Sequence, residues 1–279
     1  MTESAPPWQR VLLATERTEF DAGAERLAFA LAQRSGRPIG AVVPALVNAE
    51  LISEAPGLAA RADAEAMRRR DELLRLAAAA NVTIDARVRE DDEAWRAIVE
   101  HARETRAELV VIRRRGHRGF LSRLGVGEMA ATVAARAPCD VLMVLRAGEL
   151  WRRAVLAAVD ASPAAAHVVD AAARVARASG LPLHVVSVAA DATDATRARA
   201  GEAVRVALEA LARAGIVAEG GVRTGKPQAE VVAAAAERGA DLIVVGRRGA
   251  SGALRHAVLG STAQKVVALA DCPVLVVAT

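Results

Sequence analysis

Cysteine is nearly missing from this chain. Cys139 and Cys272 are the only two in 279 residues and lie 133 positions apart, which excludes a disulfide framework and zinc-ligand spacing and leaves buried free thiols. Tyrosine is absent, and three Phe and three Trp are the whole aromatic content, too little to build the stacking platforms that hold single-stranded nucleic acid. Lysine is confined to Lys226 and Lys265, so arginine carries the positive charge, yet 37 basic residues against 33 acidic ones leave a net charge of only +4. The arginines alternate with acids, as in Arg68-Arg69-Arg70-Asp71-Glu72, the pattern of a solvated helix face rather than of a nucleic-acid patch. No apolar run approaches the ~20 residues of a membrane helix. The N-terminus carries Glu3 where a secretion signal has basic residues, and no apolar stretch follows it. The expectation is a cytoplasmic protein with neither nucleic-acid nor membrane partners. His101, His117, His167, His184 and His256 show no paired-ligand spacing, so no resident metal is expected, and a divalent cation would arrive with a ligand.

What is present is a sequence written twice. Arg10-Val11-Leu12-Leu13-Ala14-Thr15-Glu16 returns 144 positions later as Ala154-Val155-Leu156-Ala157-Ala158-Val159-Asp160, and Ser35-Gly36 returns at the same shift as Ser179-Gly180. Downstream the shift is 133: Glu108-Leu109-Val110-Val111-Ile112 matches Asp241-Leu242-Ile243-Val244-Val245, Gly116 matches Gly249, and Gly127 matches Gly260. The difference of 11 places an insertion inside the first copy, around residues 44–57, as a lid or a long loop. The copies divide as 1–148 and 149–279, in keeping with about 150 residues per domain.

Each copy alternates short β-branched runs with helical stretches, the pattern of βαβ units on a parallel sheet. The expected fold is α/β: two tandem doubly wound, mostly parallel five-stranded sheets. In the second copy the strands are expected at 154–159, 182–188, 216–223, 241–246 and 273–278, continuous because parallel strands are covered on both faces. Ser162-Pro163 reads as an N-cap followed by proline at the first helical position, and Ser179-Gly180 as the stop. In the first copy the equivalent helix is expected over 18–33, ending at Gly36.

A doubly wound sheet binds ligands at the carboxyl ends of its strands, where the winding reverses. In the second copy that places Asp160-Ala161-Ser162 beside Gly246-Arg247-Arg248-Gly249, with Gly260-Ser261-Thr262 opening the next helix. Glycines at 246, 249 and 252 let backbone approach a ligand, and amides at a helix start attract phosphate. Ser261 and Thr262 offer hydroxyls, Arg247 or Arg248 a guanidinium, and Asp160 an acceptor for ribose or a cation's ligand. Gly260-Ser261 would equally serve as a plain helix cap. The stretch from Gly220 to Gly225-Lys226 imitates a phosphate loop, but Pro227 stands where the magnesium-ligating hydroxyl belongs. Its glycines turn the chain into a helix starting at Pro227.

These residues give the chain a resemblance, in both halves and nearly end to end, to the universal stress protein family, whose fold is Rossmann-like. Nucleotide-binding members of that family carry G-x-x-G, about nine residues, then G-[ST] after the fourth strand. Here Gly246, Gly249, Gly260 and Ser261 follow that order with ten intervening residues, one more than the pattern. The resemblance implies ATP as cofactor, with Mg2+ carried on its phosphates. By the same resemblance Asp160 is the acid ending the first strand, Val185 meets adenine through its backbone, Gly246 lies near ribose, and Gly249, Gly260 and Ser261 meet the phosphates. It implies too that the last strands of the two copies pair as a pseudo-twofold internal dimer, and it leaves room for a homodimer and an unidentified protein partner.

The first copy departs from the pattern. Arg113 replaces the first glycine, Glu128 replaces the serine, and Glu16 replaces the aspartate, although Gly116 and Gly127 remain. A carboxylate at the phosphate position repels phosphate, so one site per chain is expected, in the second copy. Arg113, Arg114, Arg115 and Arg118 could instead serve another anion, or Glu128 could cap its own helix and satisfy those arginines internally. The expected function is a stress-response module that acts through its ATP-bound state and is not an enzyme; slow ATP hydrolysis stays open. The alternative is an interaction module that binds no nucleotide. An adenylating or pyrophosphatase relative would need an S-G-G-x-D-S loop, which is missing.

Overall fold

A computed structural model describes residues 7–47, 53, 56–114, 127–249 and 258–278. The chain forms two compact units, the first continuing to Leu150 and the second opening at Trp151. In the first unit the order is β1 (Val11–Ala14), α1 (Ala22–Ser35), β2 (Ile39–Leu46), α2 (Pro56–Ala79), β3 (Ile84–Asp91), α3 (Ala94–Glu104), β4 (Leu109–Arg113), α4 (Glu128–Arg136) and β5 (Asp140–Val144). In the second it is β6 (Val155–Ala158), α5 (Ala165–Ser179), β7 (Leu183–Ala189), α6 (Asp194–Arg213), β8 (Ala218–Thr224), α7 (Pro227–Glu237), β9 (Leu242–Gly246), α8 (Ser261–Leu269) and β10 (Val274–Val277).

Both units are parallel α/β sheets with one strand order: β3-β2-β1-β4-β5 and, read from the same edge, β8-β7-β6-β9-β10. The chain winds outward from β6 through β7 to β8 and then returns to the other side of β6 as β9, so the winding reverses between β6 and β9. That is where a doubly wound sheet leaves a crevice. Several strands are buried along their length: β1, β5 and β10 throughout, β9 except for Gly246. In register across β6 and β9, Leu156 faces Ile243, each at most 1% exposed, and truncating either to Ala would cost about 2–5 kcal/mol.

Two local expectations are corrected. β8, read as a continuous buried run, has several exposed residues, because it is an outermost strand with β7 on one side only; β3, beside β2, behaves likewise. Ser162 is not the N-cap of α5. The cap is Ala164, and Ser162 sits in the preceding turn, where its own amide and hydroxyl donate to Asp160 Oδ1. A short polar side chain has there chosen an Asx turn over a helix cap.

The stops and starts read from glycine and proline are in place. Gly180 closes α5 in the left-handed region at φ 65°, its amide bonding back to Ala176 and Arg177, and Gly36 closes α1 in the same way. Pro227 opens α7 at its first turn. Trp151 is buried and its indole N–H donates to Ser179 Oγ at 3.0 Å, tying the start of the second unit to the end of α5. Of the inserted segment, residues 48–52 and 54–55 lie outside the described residues, while 44–46 end β2 and 56–57 open α2.

Candidate functional site

At the carboxyl ends of β6, β7 and β9 the second unit encloses a cavity of about 680 Å³, within the ~300–1,000 Å³ usual for small-molecule sites. Asp160 and Ala161 come to it from the end of β6, Gly246, Arg248 and Gly249 from the end of β9, and Gly260, Ser261 and Thr262 from the start of α8. Eight of the ten residues singled out in the sequence thus share one wall system. Two do not line it. Val185 is the third residue of β7, buried and paired with Ala157 and Gly220; the cavity begins one residue later and is lined by Val186, Ser187, Val188, Ala189 and Ala190. Arg247 is buried, and its N–H continues the ladder to the Val277 carbonyl at 3.0 Å. It keeps the strand's alternation, so Arg248 is the one of the pair that lines the cavity.

The glycines are set by close backbone packing. A Cβ on Gly260 would lie 3.1 Å from the Arg247 carbonyl and 3.4 Å from Arg248 Cα, and one on Gly246 would lie 3.1 Å from the Arg248 carbonyl. A Cβ on Gly249 would lie 2.7 Å from Asp160 Oδ2. The Gly249 loop, the start of α8 and the Asp160 carboxylate are therefore pressed together with no room for side chains between them.

Gly260 caps α8 without a side-chain hydrogen bond. Its own N–H is already given to the Arg247 carbonyl at 3.0 Å, and Gln264 is the first residue whose amide returns to the helix, bonding the Gly260 carbonyl at 2.9 Å. The donor set that a helix start leaves open therefore begins at Ser261 rather than at Gly260 and comprises the Ser261, Thr262 and Ala263 amides, joined by the two exposed hydroxyls. With the positive end of the helix dipole behind them, these groups suit an anion. Asp160 is the only acid among the described residues lining the cavity; its Oδ1 is held by Ser162 and its Oδ2 faces Gly249. No three His, Cys, Asp or Glu side chains gather among the described residues in a way that could hold a metal. Gly252 lies outside the described residues.

Sequence reading missed the far wall. Thr196, Arg199 and Ala200 of α6 and Pro227 and Val231 of α7 also line the cavity. The spacing of 196, 199 and 200 is that of one helix face, but nothing local marks which face meets a cavity.

The equivalent corner of the first unit is filled by its own side chains. Arg113, in the place of Gly246, contacts Glu16 at 2.5 Å and Asp21 at 3.3 Å, and donates to Thr18 Oγ1 at 3.3 Å. Asp21, 1% exposed, accepts in turn from the Thr18 amide and hydroxyl. Beside them Glu25, 4% exposed, accepts from Thr15 Oγ1 and from Arg17, each at 2.8 Å. Burial pushes the Glu25 carboxyl above the usual carboxylate range, although Thr15 and Arg17 pull the other way. Arg113 is thus satisfied internally, but by Glu16 and Asp21 rather than by Glu128. Glu128 is the exposed first residue of α4, whose N-cap is Gly127. Arg115, Gly116 and Arg118 lie outside the described residues.

Comparison with known proteins agrees with this twofold construction. The model of the universal stress protein family matches residues 7–144 and again 152–278. Universal stress protein YxiE of Bacillus subtilis is 33% identical over 144 residues, 44% of this chain and 97% of that protein. A universal stress protein of Thermus aquaticus is 44% identical over 85 residues, 30% of this chain and 61% of that protein. Among solved structures, a universal stress protein of Archaeoglobus fulgidus has a TM-score of 0.74 at 19% identity, with 98% of this chain and 97% of that one covered. A structure of Pseudomonas aeruginosa described as a universal stress protein has a TM-score of 0.66 at 19% identity, covering 97% and 93%.

Proposed function

The chain belongs to the universal stress protein family, and from that premise we propose that its second half binds one adenine nucleotide, ATP, while its first half binds none. The observation that carries the reading is the convergence of Asp160, Gly246, Gly249, Gly260, Ser261 and Thr262 on one cavity large enough for the ligand. The phosphates would lie over the start of α8, where the amides from Ser261 to Ala263 supply donors and Ser261 and Thr262 supply hydroxyls. The ribose would lie between Asp160 and the Gly246–Gly249 loop, and the base against the end of β7. A Mg2+ ion would ride on the phosphates, with the Asp160 carboxylate the nearest acid the wall offers it.

Function follows from occupancy rather than turnover in this reading. The Ser162 hydroxyl that touches the Asp160 carboxylate in the cavity wall serves an Asx turn, and in this reading the stress-response output is a difference between nucleotide-bound and nucleotide-free chain. In the first half the ion pairs of Arg113 with Glu16 and Asp21 occupy the corresponding corner, and Glu128 puts a carboxylate where the second half has Ser261. Titration of ATP with Mg2+ into the intact chain and into Gly260→Glu, with phosphate release followed alongside, tests the assignment. Saturable binding that the substitution abolishes, without multiple turnovers, is expected. An intact chain that binds no ATP, or one that turns it over rapidly, would overturn it.

A further inference from the structure

The cavity has a second cationic group that no phosphate site needs. Arg199 of α6 lines it, and among the described residues no carboxylate or carbonyl holds its guanidinium, whereas Arg205 further along the same helix is held by Glu202 and Glu209. Its position in the sheet says which end of a ligand it serves. α6 packs against β7 and β8, whereas the phosphate donors lie beyond β9, and the order β9-β6-β7-β8 puts two to three strand spacings, about 10–14 Å, between them. An arginine side chain does not cover that span and also reach the start of α8. Around Arg199 the wall is mostly apolar: Ala200 on the same helix face, Val188 and Ala189 from β7, and Pro227 and Val231 from α7, with Thr196 one turn away whose hydroxyl is engaged by Asp191. A mostly apolar wall bordered by a guanidinium that no described residue holds suits a planar base better than a second phosphate.

We propose that Arg199 lies over the face of the bound adenine as the rim of the base slot, a positioning residue that sets preference for a purine. The inference rests on the nucleotide reading of this cavity and adds the group that selects the base. A guanidinium over an aromatic face is attracted by the ring's negative face, and arginine does this better than lysine because it is planar and less strongly hydrated. The effect depends on the size of the base's π surface, so adenine nucleotides gain more than cytosine nucleotides. It is independent of the number of phosphates.

The test is calorimetric titration of adenosine, AMP, ATP and CTP into the intact chain, Arg199→Ala and Arg199→Lys, with circular dichroism to confirm folding at this exposed position. Arg199→Ala should weaken adenosine, AMP and ATP by one common factor, about three- to tenfold. It should shrink the preference for ATP over CTP, and Arg199→Lys should restore only part of the loss. A loss that grows from adenosine to ATP would mean that Arg199 reads phosphate and would overturn the proposal, as would affinities unchanged in all three. If the intact chain binds none of these ligands, the nucleotide reading itself has failed, whatever the variants do.

Discussion

Replacing Ser261 with Glu copies into the second half the residue that the first half already carries. Glu128 is the first residue of α4 just as Ser261 is the first of α8, each after a glycine N-cap, so the fold accepts a carboxylate there. A unit charge about 4 Å from a phosphate oxygen costs about 1 kcal/mol in bulk water and about 4 kcal/mol at the effective permittivity of a protein surface. Ser261 is exposed, which favours the lower figure, but a phosphate chain presents more than one charge. The expected loss is at least tenfold in ATP affinity, a decade being about 1.4 kcal/mol. Folding stability should move the other way, because an acid in the first turn of a helix gains about 0.3–1 kcal/mol from the dipole. Titration calorimetry and urea unfolding of the same variant therefore give opposite signs. Ser261→Ala serves as the control that removes only a hydroxyl and should lose less than Ser261→Glu. A folded Ser261→Glu chain that binds ATP within threefold of the parent would refute the placement of phosphate over α8.

Gly249→Ala puts a methyl group where Asp160 Oδ2 now lies 2.7 Å away; the carboxylate must swing out of its turn, and ATP affinity should fall roughly tenfold, the scale of one hydrogen bond to a charged group, as read by the same titration. Arg113→Ala leaves Asp21, 1% exposed, with only Thr18 as partner, and urea unfolding should show the chain destabilised by about 1–3 kcal/mol with ATP binding unchanged. The Glu25 carboxyl is held above its ordinary range, chiefly by burial. A group raised in the folded state gives stability that is complete below the unfolded value and is lost as pH rises through the folded one. Stability of the parent relative to Glu25→Gln should therefore decline from about pH 4 towards neutrality, and a difference flat with pH would contradict it.

Much of the architecture was legible because it is written in local, repeated signals. The shifts of 144 and 133 give two copies, the β-branched runs give five strands in each, and Gly36, Gly180 and Pro227 end or start helices where the backbone requires them. The site was legible as a set of loop residues, since the end of β6, the end of β9 and the start of α8 meet wherever this winding occurs. What escaped depends on side-chain direction and on pairs distant in sequence. Arg247 and Arg248 are indistinguishable as neighbours until the Val277 hydrogen bond fixes which one follows the ladder. Val185 and Val186 differ only in strand phase. Arg113 meets Glu16 and Asp21 across more than 90 residues, a pairing with no periodicity to reveal it. Ser162 looked like a cap because Ser before Pro usually is one, and Asp160 two residues earlier outcompeted the helix for its hydroxyl.

Native mass spectrometry of the intact chain with ATP and Mg2+ reads the central claim most directly, as nucleotides bound per chain. One nucleotide is predicted, displaced when Gly260 becomes Glu and retained when Arg113 becomes Ala. Two per chain would show that the ion pairs around Arg113 do not close the first half, and none would remove the nucleotide from the function of this protein.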